Sequence, residues 1–310
     1  MALSRIYGPL ISVSSLDAHS ALLVDVFGMT ATGRSGLDPH STERIFGTRC
    51  ATALTALQTP GAEAGALLVR FDSDLPEATR TVRDEQSRIH RDAFRVIDFY
   101  APDFDAAVAH ARDAGFAMHT KEASYETADG SFREAHHPGP DNVVTAFLHG
   151  PADFFTDFAE VRDRISSEPV SISLPLSEAG PTIAWYEQVF EWGVVYEYDF
   201  VDASFSELME VDAELRVRSS TVGPSRRQTY VNIVDYGLSA DAGGSLLGAS
   251  LAPRRGLLGL VVLTDDLDEV LARSGGAAQI VELDLAPFGA TRASVLTPPF
   301  ASPHLVIERR

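Results

Sequence analysis

The chain is predicted to be an α+β protein made of four copies of one unit: a strand, a helix, then three strands. Three observations predict it. An alternating strand, a short polar cap, an amphipathic helix and a glycine stop recur four times in the same order. The copies begin roughly every 75 to 90 residues, a period that marks an internal repeat. After each helix there is room for about three further strands of ordinary length.

The first copy is "GPLISVSSLDAHSALLVDVFG". Ile11 and Val13 alternate, Ser15 or Asp17 caps the helix, Leu22, Leu23, Val26 and Phe27 form its apolar stripe, and Gly28 stops it. In the second, "VIDFYAPDFDAAVAHARDAGF", Ile97, Phe99 and Ala101 share a face, Asp103 caps and Gly115 stops. In the third, "SISLPLSEAGPTIAWYEQVFEWG", Ile172, Leu174 and Leu176 alternate, and Ile183, Tyr186, Val189 and Phe190 line the helix. The fourth, "GLVVLTDDLDEVLARSGG", offers Asp265 or Asp266 as cap, Val270 and Leu271 as stripe, and Gly275 or Gly276 as stop. The closing strands are "AGALLVRF", "DNVVTAFL", "TYVNIVD" and "HLVIERR".

One unit has a single helix, which covers one face of its sheet; the other face needs a second copy or lines a cavity. Residues 1–152 are expected to form a first half with units at about 5–85 and 92–150, and residues 169–310 a second with units at about 169–240 and 256–310. The stretch "GPADFFTDFAEVRDRISSEP" breaks the repeat, so 153–168 is expected to be a linker, partly helical.

With 44 acidic against 25 basic residues and a formal charge of −19, the surface repels polyanions, so neither nucleic acid nor an anionic membrane is an expected partner. A single cysteine, Cys50, leaves no internal disulfide and no Cys-rich zinc site. The opening "MALSRIYGPLISVSS" has no apolar run long enough for a signal peptide or a spanning helix, and a cytoplasmic location is expected. No Gly-rich phosphate loop ends in Lys-Ser/Thr, no G-x-S-x-G elbow occurs, and nothing nominates a Ser/His/Asp triad.

"EAHHPGPDNVVTAFLHG", residues 134–150, puts His136 and His137 beside Glu134, before a turn and a strand. Imidazole and carboxylate beside a rigid strand suit a divalent metal, but adjacent strand residues point to opposite faces, so one histidine at most serves a given site. The alternative is the polar mouth of a hairpin. His19, His90 and His110 are expected on helix or loop surface.

The strings "VDVFGM", "DFDAAVAHARDAGF", "GPDNVVTAFL", "WYEQVFEWG" and "DDLDEVLARSGG" resemble, in that order, those of the vicinal oxygen chelate superfamily. That superfamily includes glyoxalase I, extradiol dioxygenases and the fosfomycin- and bleomycin-resistance proteins. The resemblance spans most of the chain. It implies four units paired into two tandem domains of this fold, with cupped mixed sheets whose open concave face holds a small molecule and, in relatives, one divalent metal (Fe, Mn, Zn or Ni). Relatives place His or Gln at the opening of a unit's first strand and Glu on its last. Here the opening positions fall at Gly8, Val96, Ser171 and Gly259. The closing strands offer Leu68 and Arg70, Thr145, Tyr230 and Asn232, and Glu308. Among these Glu308 alone keeps a metal-binding carboxylate, and one carboxylate does not hold a catalytic metal. A metal-dependent alternative draws on His136, His137, His304 and Glu308, the last two sharing a strand face.

The register that buries Ile97, Phe99 and Ala101 turns Val96, Asp98 and Tyr100 toward the cup. A strand-interior aspartate needs a partner, and Arg70 is expected to face it, with Ser12 and Thr145 adding hydroxyls and Val143 and Phe147 apolar wall. In the second half Ser171, Ser173, Tyr230, Asn232 and Glu308 are expected to line the cup. The leading expectation is a cofactor-free protein that binds a small organic molecule, for sequestration, resistance or specialised metabolism, with Asp98 or Glu308 for acid-base work. The alternatives are a metal-dependent lyase, isomerase or dioxygenase of the glyoxalase or extradiol type, and an interaction module with filled cups. The internal duplication suits a monomer, with a homodimer as the other option.

Overall fold

The computed structural model describes residues 3–276 and 278–309. Unit one holds β1 (Ser4–Ser12), α1 (Leu16–Ala21), β2 (Thr30–Leu37), α2 (Pro39–Phe46), β3 (Ala51–Gln58) and β4 (Gly65–Asp72). Unit two holds β5 (Val96–Tyr100), α3 (Phe104–Asp113), β6 (Ala123–Thr127), β7 (Gly130–Pro138) and β8 (Val144–His149), followed by α4 (Ala152–Phe158). Unit three holds β9 (Pro169–Pro175), α5 (Ala179–Phe190), β10 (Gly193–Val201), α6 (Ala203–Leu208), β11 (Arg216–Gly223) and β12 (Tyr230–Asp235), followed by α7 (Ala240–Gly243). Unit four holds β13 (Gly256–Thr264), α8 (Leu267–Ser274), β14 (Val281–Leu285), β15 (Gly289–Leu296) and β16 (His304–Glu308).

The helix starts follow local chemistry. Ser15, Asp103 and Asp266 each accept a hydrogen bond from the backbone N–H three residues on, and Gly275 ends α8 in the left-handed conformation, as expected. After Ala21, α1 widens into one π-helical turn, Leu22–Val26, which keeps Leu22, Leu23 and Val26 buried.

The sheets do not follow chain order. One eight-stranded sheet runs β14-β15-β16-β13-β1-β4-β3-β2 and the other β10-β11-β12-β9-β5-β8-β7-β6. Unit one therefore shares a sheet with unit four, and unit two with unit three, so each sheet joins units from both expected halves. The joins are antiparallel pairs of opening strands, β1 with β13 and β5 with β9. The expected linker is also more than a tether: α4 buries Phe155 and Phe158, and Ser166, Ser167 and Glu168 are buried behind it.

Three large apolar clusters result, with a small fourth of Ala62, Ala64 and Val161. The first gathers the helix-bearing faces of both sheets, with Ile97 and Phe99, Ile172, Val262, and the helical Leu22, Phe104, Tyr186 and Val270 in one core. Each such fully buried side chain contributes about 1.5–3 kcal/mol relative to exposure. The second fills the concave face of the sheet of units one and four with Tyr7, Leu10, Val69, Leu258, Leu283 and Leu305, and Phe46 of α2 packs onto it. The third lies on the concave face of units two and three and is rich in aromatics, among them Tyr125, Phe132, Phe155, Phe200 and Tyr230.

Gly8 and Gly259 occupy matching places on β1 and β13. A Cβ on Gly8 would lie 1.8 Å from the carbonyl oxygen of Gly65, and one on Gly259 1.6 Å from that of Pro303. No side chain fits at either position. Gly259→Ala is therefore expected to lower unfolding free energy by about 1–3 kcal/mol. Gly180→Ala, in α5 with open space around it, is expected to be neutral or to stabilise by up to about 1 kcal/mol. Urea denaturation of the two variants checks the difference, and equal midpoints would contradict the steric account.

Candidate functional site

The concave face of units two and three stays partly open. It encloses about 720 Å³ of space, its mouth included, with Asp98 among the lining residues. Asp98 sits on β5, where Ile97 and Phe99 point into the helix-side core, so the two-residue strand period turns it to the cup. The antiparallel join places it opposite Ser171 of β9. Ser171 donates to Asp98 Oδ2 at 2.5 Å and Ser173 to the same oxygen at 3.1 Å. β12 then sets Tyr230 beside Ser171 and Asn232 beside Ser173.

Around this centre several polar groups are paired. Glu134 on β7 accepts from Tyr125 at 3.2 Å and lies 2.6 Å from His136 Nε2. Ser219 donates to Asn232, whose amide donates to the Tyr198 oxygen at 2.7 Å. Apolar walls come from Phe132 and Phe154 on one side and Phe200 and Phe205 on the other. Tyr125 stacks on Phe200 with ring centroids 4.1 Å apart.

Asp98 is only 5% exposed. Burial, with the nearby charge of Glu134 adding to it, pushes its carboxyl up to about 7 against the opposing serine bonds and the charge of Arg95. Burial holds the His136 imidazole below its ordinary range and raises the Tyr125, Tyr198 and Tyr230 phenols. Near neutral pH the cup thus presents an acid that is able both to give and to take a proton, inside aromatic walls.

Several expected residues lie elsewhere. Arg70 is exposed on β4 in the other sheet and does not meet Asp98; the charged neighbour there is Arg95. On β4 the register is reversed, with Leu68 in the helix-side core and Leu67 and Val69 toward the cup. Thr145 is likewise turned to the helix side, with Phe147, and donates to the His137 carbonyl at 3.2 Å. Ser12 is buried in β1, within the filled sheet. Tyr100 does face the open cup's cluster, stacked on Phe155 at 3.9 Å.

Glu308 is taken up structurally. Arg292 donates to both its oxygens, at 2.7 and 2.5 Å, and its Oε1 also accepts from the N-terminal Leu267 amide of α8. That leaves no acid-base role in the open cup, which belongs to the other sheet. His304 is fully buried with its Nε2 2.7 Å from the Tyr186 hydroxyl, and burial presses it down to about 4. His137 lies 2.8 Å from the Phe116 carbonyl on the helix side, also held to about 4. His136, His137, His304 and Glu308 therefore do not assemble. Among the described residues no group of three His, Cys, Asp or Glu is placed to hold a metal. His19, expected at the surface, is buried 3.0 Å from Asp141.

With this geometry in place, known structures are informative. Glyoxalase I from Zea mays superposes over 99% of this chain and 93% of its own, with TM-score 0.63 and 12% identity. A putative dioxygenase from Bacillus subtilis covers 98% of this chain and 84% of its own, with TM-score 0.56 and 9% identity. The chain has the vicinal oxygen chelate fold. At these identities the likeness concerns architecture alone. No family model matches the chain, and no curated protein sequence does. No helix among the described residues is long and apolar enough to cross a membrane.

Asp98, Ser171, Ser173, Tyr230 and Asn232, expected in separate halves, meet in one cup of this fold. Sequence reading missed Arg95, Tyr125 and Tyr198. The signal for Tyr198 was present: "VYEYDF" repeats an aromatic every second residue, Tyr196, Tyr198 and Phe200.

The raised Asp98 carboxyl has a stability consequence. Its folded value, about 7, exceeds the ordinary 3.8, so between these values the folded state holds a proton the unfolded chain has lost. Stability therefore falls as pH rises from about 4 to 7 and levels off above. Asp98→Asn is expected to remove that slope and to be more stable than the parent at pH 8, by an amount of order a few kcal/mol. Urea titrations of both proteins at pH 5 and pH 8 check this; parallel pH dependence would contradict it.

Proposed function

We propose that the protein binds a small organic molecule in the cup of units two and three without a resident transition metal. It acts as a sequestering or resistance protein, or as a metal-free enzyme of specialised metabolism in which Asp98 carries a proton. The observation that carries this reading is the open, aromatic-walled cup converging on a buried carboxyl whose protonation changes near neutral pH. The donor set supports the metal-free part. Asp98 is bonded by two serine hydroxyls, Glu134 is engaged by Tyr125 and His136, and among the described residues no three His, Cys, Asp or Glu side chains are placed to hold a metal together. The filled cup of units one and four supports a structural role for that half.

Full-length protein purified without a metal-binding tag, before and after chelation, tests this by elemental analysis and by ligand-observed NMR against a library of small aromatic and polar compounds. Substoichiometric metal, binding that survives chelation, and loss of binding in Ser171→Leu are the expected results. Stoichiometric Fe, Mn, Zn or Ni whose removal abolishes binding would overturn the metal-free reading. For any ligand that is converted, Asp98→Asn is expected to lower turnover about 10²–10⁴-fold while binding changes little.

A further inference from the structure

The carboxylates of the open cup arrive with side-chain partners, whereas its buried guanidinium is bonded only through Nε to a backbone carbonyl. Asp98 is held by Ser171 and Ser173, and Glu134 by Tyr125 and His136. Arg95, which immediately precedes β5, is 6% exposed. Its Nε donates to the Arg88 carbonyl at 2.8 Å, but among the described residues its two Nη groups make no hydrogen bond and no ion pair. Its neighbour Arg83 shows how this chain satisfies a purely structural guanidinium. There Nε, Nη1 and Nη2 donate to the carbonyls of Phe94, Ser87 and Ala93 at 2.8, 2.8 and 2.6 Å. Asp98 lies within electrostatic reach but makes no direct ion pair with Arg95, and the unbonded edge of a guanidinium is a planar fork that matches an oxyanion through two parallel bonds. Arg95 also lines an adjoining hollow, open to solvent, together with His119, His136 and the carboxylate-bearing Asp84, Glu85 and Glu210, so the residue stands between the two spaces.

We propose that the open cup takes an aromatic or planar molecule bearing an oxyanion, which docks on the Nη edge of Arg95 while the apolar body lies between the aromatic walls and a polar group meets Asp98. This rests on the cup being the binding site and adds the ligand's class. A bound anion beside Asp98 also favours its protonated form. The groups facing Asp98 are Arg95, next to β5, Glu134 from β7 with His136 bonded behind it, Tyr125 from β6, Tyr198 from β10, and Tyr230 and Tyr236 from β12 and just beyond it. Of these, Arg95 is the fixed positive charge.

Four probes separate the possibilities in isothermal titration with the full chain: 2-naphthoate, 2-naphthyl phosphate, 2-naphthamide and 2-naphthylmethylammonium. At least one anion is expected to bind about tenfold or more tighter than the amide and the ammonium, and which anion wins tells carboxylate from phosphate. Arg95→Gln is expected to erase that preference, and Arg95→Lys to weaken binding while keeping the preference for an anion. Titrations at pH 7 in buffers of different ionisation enthalpy are expected to show proton uptake that is lost in Asp98→Asn. Equal or tighter binding of the amide or the ammonium to the unsubstituted protein would overturn this inference and leave the cup reading standing. Binding by none of the four would overturn it too, and failure of the compound library as well would remove the cup reading with it.

Discussion

The antiparallel join between the opening strands β5 and β9 is the constraint on which the site depends. It sets Asp98 opposite Ser171 and Val96 opposite Ser173, so two hydroxyls from unit three meet a carboxylate from unit two. An aspartate on a strand buried on both faces is tolerable only with such partners. Had the units joined in chain order by the same opening-strand pairing, Asp98 would lie beside β1 of unit one and the serines would lie in another sheet. The equivalent join, β1 with β13, builds the second sheet from glycine and apolar residues. There Gly8 and Gly259 press against backbone carbonyls, and no polar group is brought to the middle.

One repeating unit thus yields two different cups. In the sheet of units one and four, Tyr7, Leu10, Leu258 and Leu305 project inward and α2 adds Ile45 and Phe46, so the concave face is consumed as core. In the sheet of units two and three the central strand β9 carries Ser171 and Ser173, whose small side chains leave volume that aromatic residues wall but do not fill. α4 and α6 supply part of that wall through Phe154, Phe155 and Phe205. One concave face is therefore filled as core, while the other stays partly open with polar groups converging on it.

Local features were legible in the sequence and long-range ones were not. Caps at Ser15, Asp103 and Asp266 act within one turn, and the alternation of Ile97, Asp98 and Phe99 assigns faces within one strand. Pairing of units is decided by contacts between residues 73 apart, as for Asp98 and Ser171, or 260 apart, as for Ser4 and Thr264, for which a sequence carries no periodic signal. Arg70 was misplaced because "ALLVRF" is apolar on both faces of a covered strand and gives no alternation to read. Thr145 was misplaced because "DNVV" begins as a turn: Asp141 and Asn142 adopt left-handed φ of 54° and 58°, and β8 starts only at Val144. His304 and Glu308 do share a face, as expected, but it is the helix face, since Leu305 and Ile307 take the cup side.

The central claim is that the join of units two and three creates a buried, serine-held carboxyl poised near neutrality. Carbon-detected NMR titration of the Asp98 side-chain carboxyl in the intact protein reads it directly. The account expects a midpoint near 7, moving upward when Ser171 and Ser173 are replaced by alanine, because the hydroxyls favour the ionised form. A midpoint near the ordinary aspartate value, unchanged by removing the serines, would contradict it.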